Sequence, residues 1–248
     1  MGKSIPQLQD GNQTVYFKAG GEWCFLRTPK NFSSEKTREA VPCVIQCHGH
    51  HGYVKDGNAD WIADEDKLFF VNKLLDSGIA VASSHATGNH WGRPNAVAAN
   101  AALLDALTQE VNLDKDRIGL WGGGLGGALL WNSVTGPLLG RLRAVVLQQA
   151  TISYESVIRN HKFKGLLLAA YGIPEDAPDD LAPVQRPMEQ LPDSRGRPSA
   201  PSALLCPRRR RTGRVESLRD PLQALTARTA LEHLPHHRAF CLVDPPSN

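Results

Sequence analysis

The residues best suited to chemistry fall in three short segments. His48-Gly49-His50-His51-Gly52 and Ser84-His85-Ala86-Thr87-Gly88-Asn89-His90-Trp91-Gly92 together hold five of the nine histidines. The third segment, Gly122-Gly123-Gly124-Leu125-Gly126-Gly127, is nearly all glycine. Neutral imidazoles exchange protons near pH 7 and ligate metals. A glycine turn lets backbone N–H groups close on developing negative charge.

Each segment follows an apolar run that reads as a strand. Thr14 to Lys18 and Glu22 to Arg27, divided by Gly20-Gly21, predict an opening hairpin. Val41 to Cys47 is a continuous apolar run, as in a strand buried on both faces. Asp64 to Ser77 carries Leu68, Phe69, Val71, Leu74 and Leu75 at helical spacing, with Gly78 as a stop. Further strands are expected at Ile79 to Ser83, Arg117 to Trp121, Ala144 to Gln149 and Gly165 to Tyr171. The helices expected between them are Asn95 to Val111, Leu125 to Ser133 and Tyr154 to Asn160. Alternation of this kind predicts a doubly wound, mostly parallel α/β sheet with helices on both faces. Ligands then meet the loops at the carboxyl ends of the strands, where all three segments lie.

At 248 residues the chain can bury roughly 70 to 75% of its unfolded surface without staples. Its 41% hydrophobic and 21% charged content excludes fibrous and wholly disordered classes. No apolar run approaches the roughly 20 residues of a membrane-spanning helix, and the first residues lack a secretion-type apolar segment. Five cysteines is an odd number, and Cys43 and Cys47 stand about 13 Å apart along one strand, too far to bridge. A reduced, cytoplasmic setting is the expectation.

The net charge of +3 is small, but its distribution is uneven. Residues 1–185 read as the folded domain. From Arg186 onward the chain has no Lys, Ile, Tyr or Trp, yet holds 11 of the 18 arginines and 9 of the 17 prolines. This 186–248 segment reads in three ways: a poorly ordered Arg/Pro-rich extension with a short helix near Leu218 to His233, the product of a shifted reading frame, or a basic arm that contacts nucleic acid. The third lacks interleaved aromatic residues for stacking on bases, so a nucleic-acid partner is not expected.

Gly122, Gly126 and Gly127 exclude side chains where a helix must pack closely on the sheet. Between a strand and a helix, this is the spacing of the nucleophile elbow, G-x-S-x-G. With the His48-Gly49 loop and the Gly88-Asn89-His90-Trp91-Gly92 loop in serial order, the chain resembles the α/β-hydrolase family over about residues 10–185, in its dienelactone hydrolase and esterase-like branch. The resemblance implies acyl transfer on carboxylic ester or amide bonds, no cofactor, and a small-molecule substrate. The family's serine is replaced by Gly124, so no acyl-enzyme can form and activity is expected to be impaired. The resemblance also implies an oxyanion hole from the N–H groups of Leu125 and of a residue near His50, with His48 shaping its loop. It implies an acid at Asp176, after the strand expected at Gly165 to Tyr171. The family histidine would be His236 or His237, with His233 nearby.

Other readings of the same residues stay open. Gly122, Gly124 and Gly127 also fit G-x-G-x-x-G, but that fingerprint belongs in a first βα turn with an acidic residue about 20 positions on, absent here. His48, His50, His51, His85 and His90 could converge on a metal that activates water, although their spacing matches no known zinc motif. His48, His85, His90 and Trp91 are candidate substrate-binding residues lining a cleft. A non-catalytic module binding a small molecule or a protein is a further alternative.

Overall fold

A computed structural model describes residues 4–151, 154–158, 161–174, 191–192, 198–199 and 240–243. The opening hairpin forms as expected, from β1 (Thr14–Ala19) and β2 (Glu22–Arg27), turning through Gly20 and Gly21, both with positive φ. β3 (Val41–Cys47) is followed by a small hairpin, β4 (Val54–Lys55) with β5 (Asn58–Ala59), and a one-turn helix α1 (Asp60–Ala63). Helix α2 (Glu65–Asp76) begins where the Asp64 carboxylate accepts the Lys67 N–H at 3.1 Å. It ends at Gly78.

β6 (Ala80–Ser84) is buried along its whole length. α3 (Pro94–Glu110) starts with proline at its first position, where no N–H is needed. β7 (Leu113–Gly124) is longer than its sequence signal, because Leu113 already pairs with Val41 before a register shift. α4 (Leu125–Val134) and β8 (Ala144–Ala150) follow, then the short helix α5 (Tyr154–Ile158).

One element contradicts its sequence reading. Gly165 to Tyr171, expected as a strand, belongs to a helix, α6 (His161–Tyr171). The run Leu166-Leu167-Leu168-Ala169-Ala170 has no β-branched residue, and leucine and alanine are strong helix formers. Leu167 and Leu168 are buried while Leu166 is 43% exposed, as a helix on a core requires and a two-sided strand forbids. Gly172, at φ +66°, closes the helix: its N–H reaches the Ala169 carbonyl (3.2 Å) and that of Ile173 reaches Leu168 (2.9 Å).

The described segments β9 (Leu191–Pro192) and β10 (Pro198–Ser199) pair with each other, and β11 (Phe240–Val243) pairs antiparallel with β8. The main sheet has the order β1-β2-β6-β3-β7-β8-β11, with β6, β3, β7 and β8 parallel. The doubly wound α/β architecture therefore holds. From β3 the chain steps outward to β6, then crosses back to β7 and on to β8. The winding reverses between β3 and β7, so the crevice of the fold opens at the carboxyl ends of these two strands.

The principal core packs Leu103, Leu104 and Leu107 of α3 and Leu129 and Leu130 of α4 against Ile45, Ala82, Ile118 and Leu120 of the sheet. A second cluster joins Trp91, Leu125 and Ala128 to Tyr154, Val157, Ile158 and Leu167, so α5 and α6 rest directly on the start of α4. Cys24, Cys43 and Cys47 are buried free thiols. No helix among the described residues is long and apolar enough to cross a membrane.

Candidate active site

The strand-to-helix turn after β7 is built by exclusion. A β-carbon on Gly122 would lie 2.6 Å from the Gly126 carbonyl oxygen; one on Gly126 would collide with the Cys47 carbonyl oxygen, and one on Gly127 with the Ala150 methyl. All three positions need glycine, because backbone, or at Gly127 the fixed Ala150 methyl, stands where a side chain would go. Gly124 differs. It is exposed, adopts φ +53° and ψ −125°, and a β-carbon built on it meets nothing within 4 Å. A tight turn thus presents one open, outward position above the crevice.

The His-Gly loop forms the facing wall. A β-carbon on Gly49 would lie 3.5 Å from the Gly123 carbonyl oxygen, so the two loops are in contact. The loop turns through a bond from the Gly52 N–H to the Gly49 carbonyl (3.1 Å), and the preceding N–H, that of His51, is accepted by the Asn89 side chain at 3.0 Å.

Three histidines lock the loops together. The ring nitrogens of His48 lie against the carbonyl oxygens of Gly49 (2.9 Å) and His85 (2.7 Å). His90 accepts the Gly92 N–H at Nδ1 (3.1 Å), so Nε2 carries the proton and donates to the His48 carbonyl (3.0 Å). Burial pushes His90 down to about 3, keeping it neutral. His85, half-buried, accepts the Val54 N–H at 3.4 Å, and burial lowers its pKa as well. His48 and His90 are wholly buried, and Trp91 is 5% exposed.

The expectation that His48, His90 and Trp91 line a substrate cleft is therefore corrected. Their polar atoms are committed to backbone, and the Trp91 ring fills the cluster under α5 and α6. Both ring nitrogens of His48 face backbone carbonyl oxygens and both of His90 are hydrogen-bonded to backbone, so neither ring is open to a metal. Among the described residues, no three histidine, cysteine or carboxylate side chains group as a metal site.

His50 stands apart from this lock. It is partly exposed, its Nδ1 is buried without a hydrogen-bond partner, and its ring centroid lies 3.8 Å from that of His51 with the two planes tilted by 52°. Burial, with His51 beside it, lowers its pKa.

Several supporting residues had no sequence signal. The hydroxyls of Tyr154 and Tyr171 both donate to the Trp91 carbonyl, the latter at 3.0 Å. Asn132 donates to the Gly92 carbonyl at 2.8 Å, and Arg93 donates to the carbonyl of Ala170 at 2.9 Å. These contacts join residues 40 to 80 positions apart, which no local spacing reveals. Asp176, His233, His236 and His237 lie outside the described residues. The argument for Asp176 also loses its premise, because the element before it is a helix.

Backbone strain concentrates here. Among the described residues, the non-glycine positions with left-handed φ are His51 (+62°), Ala86 (+45°), Thr87 (+66°), Trp91 (+46°) and Gln149 (+46°). Every one lies at the carboxyl end of β8 or in the loops that follow β3 and β6. Such conformations persist where surrounding structure enforces them, and they cluster at functional sites.

No family model matches the chain, and no curated protein matches it. Solved structures do. A puromycin hydrolase variant complexed with PGG aligns at 18% identity and a TM-score of 0.50, covering 73% of this chain and 28% of the other. A prolyl endopeptidase aligns at 17% identity and 0.48, covering 71% and 26%. Est1E from Butyrivibrio proteoclasticus aligns at 17% identity and 0.40, covering 53% and 49%. The chain thus spans between about a quarter and a half of the lengths of these proteins. At 18% identity the likeness to the puromycin hydrolase variant is one of fold alone.

Proposed function

We propose that this chain is a relative of the serine hydrolases that act on carboxylic ester or amide bonds, of the dienelactone hydrolase or esterase-like kind, in which Gly124 occupies the nucleophile position. It binds acyl compounds at the turn and does not turn them over by an acyl-enzyme route. The observation that carries this reading is the Gly124 conformation. Its left-handed φ, open outward space and close-packed glycine neighbours are what a nucleophile-bearing turn needs, minus the hydroxyl.

The chemistry that remains is electrostatic. The first N–H groups of α4 have no acceptor within the helix, and the helix dipole makes that end positive. The Leu125 N–H, with the His50 N–H across the crevice, would hold a carbonyl oxygen as an oxyanion hole does. A serine at 124 would further need a histidine and an acid, and His236 and His237 keep their place as candidates for the histidine. The metal-dependent alternative is disfavoured by the backbone bonds of His48 and His90. A purely binding module differs from this reading only in ligand, and the same experiment separates the two.

A fluorophosphonate probe should leave the protein unlabelled, while short methyl esters shift the amide resonances of Leu125 and His50 in NMR titration. Labelling of the unaltered protein would overturn the reading, as would esters that shift neither amide. Gly124→Ser should gain labelling only if the chain supplies a working histidine.

A further inference from the structure

β8 carries one residue more than its partner beside the turn. Gly123 pairs with Gln148 and Gly124 with Ala150, leaving Gln149 without a partner on β7. The Thr151 N–H donates to the Gly124 carbonyl at 2.8 Å, tying this bulge to the turn itself. The extra residue decides what meets α4. Regular alternation would send Gln149 inward with the buried Val145 and Leu147. Ala150 takes that inward place instead, so tightly that Gly127 can carry no side chain.

Gln149 is therefore turned out. It is exposed, at φ +46°, one strand spacing of about 5 Å from the turn. Glycine or asparagine would hold a left-handed φ at less cost than glutamine. Bulges next to active sites serve to re-aim a side chain. The backbone here aims a carboxamide, which offers one acceptor and two donor hydrogens in a fixed plane. Its natural complement is another amide. In the loops after β3 and β6, the Asn89 side chain accepts the His51 N–H and burial lowers the pKa of His50, so those loops suit an uncharged ligand.

We propose that Gln149 is a specificity residue whose carboxamide hydrogen-bonds an amide group of the ligand at Gly124, so that the site prefers N-acylated amino-acid esters to plain esters. The inference rests on the reading of the Gly124 turn as an acyl-ligand site.

Two esters test it, N-acetylglycine methyl ester and methyl levulinate, which differ only by a methylene in place of the amide N–H. NMR titration of the unaltered protein should show the acetylglycine ester binding about fivefold tighter, the effect of one neutral hydrogen bond. Gln149→Met keeps the side chain's length and removes the amide, and Gln149→Gly removes both the side chain and the strain. In each, both esters should still shift the Leu125 amide, with the preference gone. No preference in the unaltered protein, or one that survives both substitutions, overturns the role of Gln149 while the turn remains an ester site. If neither ester shifts Leu125 in any of the three proteins, the turn is not an acyl-ligand site and the inference falls with it.

Discussion

The α-carbon of Gly126 sits against the carbonyl oxygen of Cys47 so closely that a single methyl group at 126 would overlap it. β3 and α4 are thereby pressed together where the winding of the sheet reverses. This one contact brings the His-Gly loop and the Gly124 turn to the same crevice.

Gly126→Ala should accordingly destabilise the protein by about 3 kcal/mol, since the obstruction is backbone and cannot rotate away. Urea denaturation measures this loss. A change under about 1 kcal/mol would show that β3 and α4 are not in this contact.

Gly124→Ser should behave differently. It meets no neighbour, so its cost is the left-handed φ alone, about 1–2 kcal/mol. The same denaturation experiment should therefore rank it well below Gly126→Ala. Equal losses would mean that the turn at 124 is not open.

Protonating His90 should unfold the protein from the acid side. Its folded pKa of about 3 lies below the ordinary histidine value near 6.5, so the unfolded chain binds the extra proton between these limits. Stability is then fully present above about pH 6.5 and falls as pH drops toward 3, by up to about 1.4 kcal/mol per unit from this group. His90→Gln should flatten that slope between pH 6.5 and 4. An unchanged slope would place the titration elsewhere.

Tyr154 and Tyr171 share one acceptor, the Trp91 carbonyl. Either Tyr→Phe change alone leaves that buried oxygen one donor and should cost about 1 kcal/mol. The double variant leaves it none, so its cost should exceed the sum of the two by at least about 0.5 kcal/mol. Strict additivity in a double-mutant cycle would refute the shared clasp.

Thiol chemistry offers a simple check on the sheet. Burial pushes Cys43 and Cys47 up to about 12 and Cys24 up to about 11. Alkylation at pH 8, mapped by peptide mass spectrometry, should spare these three in the folded protein and reach them in urea.

The sequence is most legible where a residue type has one use. Glycines at 122, 126 and 127 could be read as close approach because nothing else explains three missing side chains at those spacings. Strand β3 is legible as a continuous apolar run. The same rule misled at Leu166-Leu167-Leu168, where an apolar run of strand length is a helix whose exposed face happens to be apolar too. Histidines were read as chemistry because imidazole is versatile, yet His48 and His90 turn out to join loops. Their partners are carbonyls 37 and 42 residues away, which no pattern of side chains encodes. The bulge at Gln149 was equally hidden, since it arises from the fit of Ala150 against Gly127 and not from any property of glutamine.

The turn after β7 also has a genetic consequence. Four of its glycines, at 122, 123, 126 and 127, are fixed by collision, whereas the fifth, Gly124, is free on every side, so among these glycines inherited change can accumulate only at 124. Glycine and serine codons ending in a pyrimidine differ by a single base. On the reading proposed above, the hydroxyl absent at 124 is therefore one base change away.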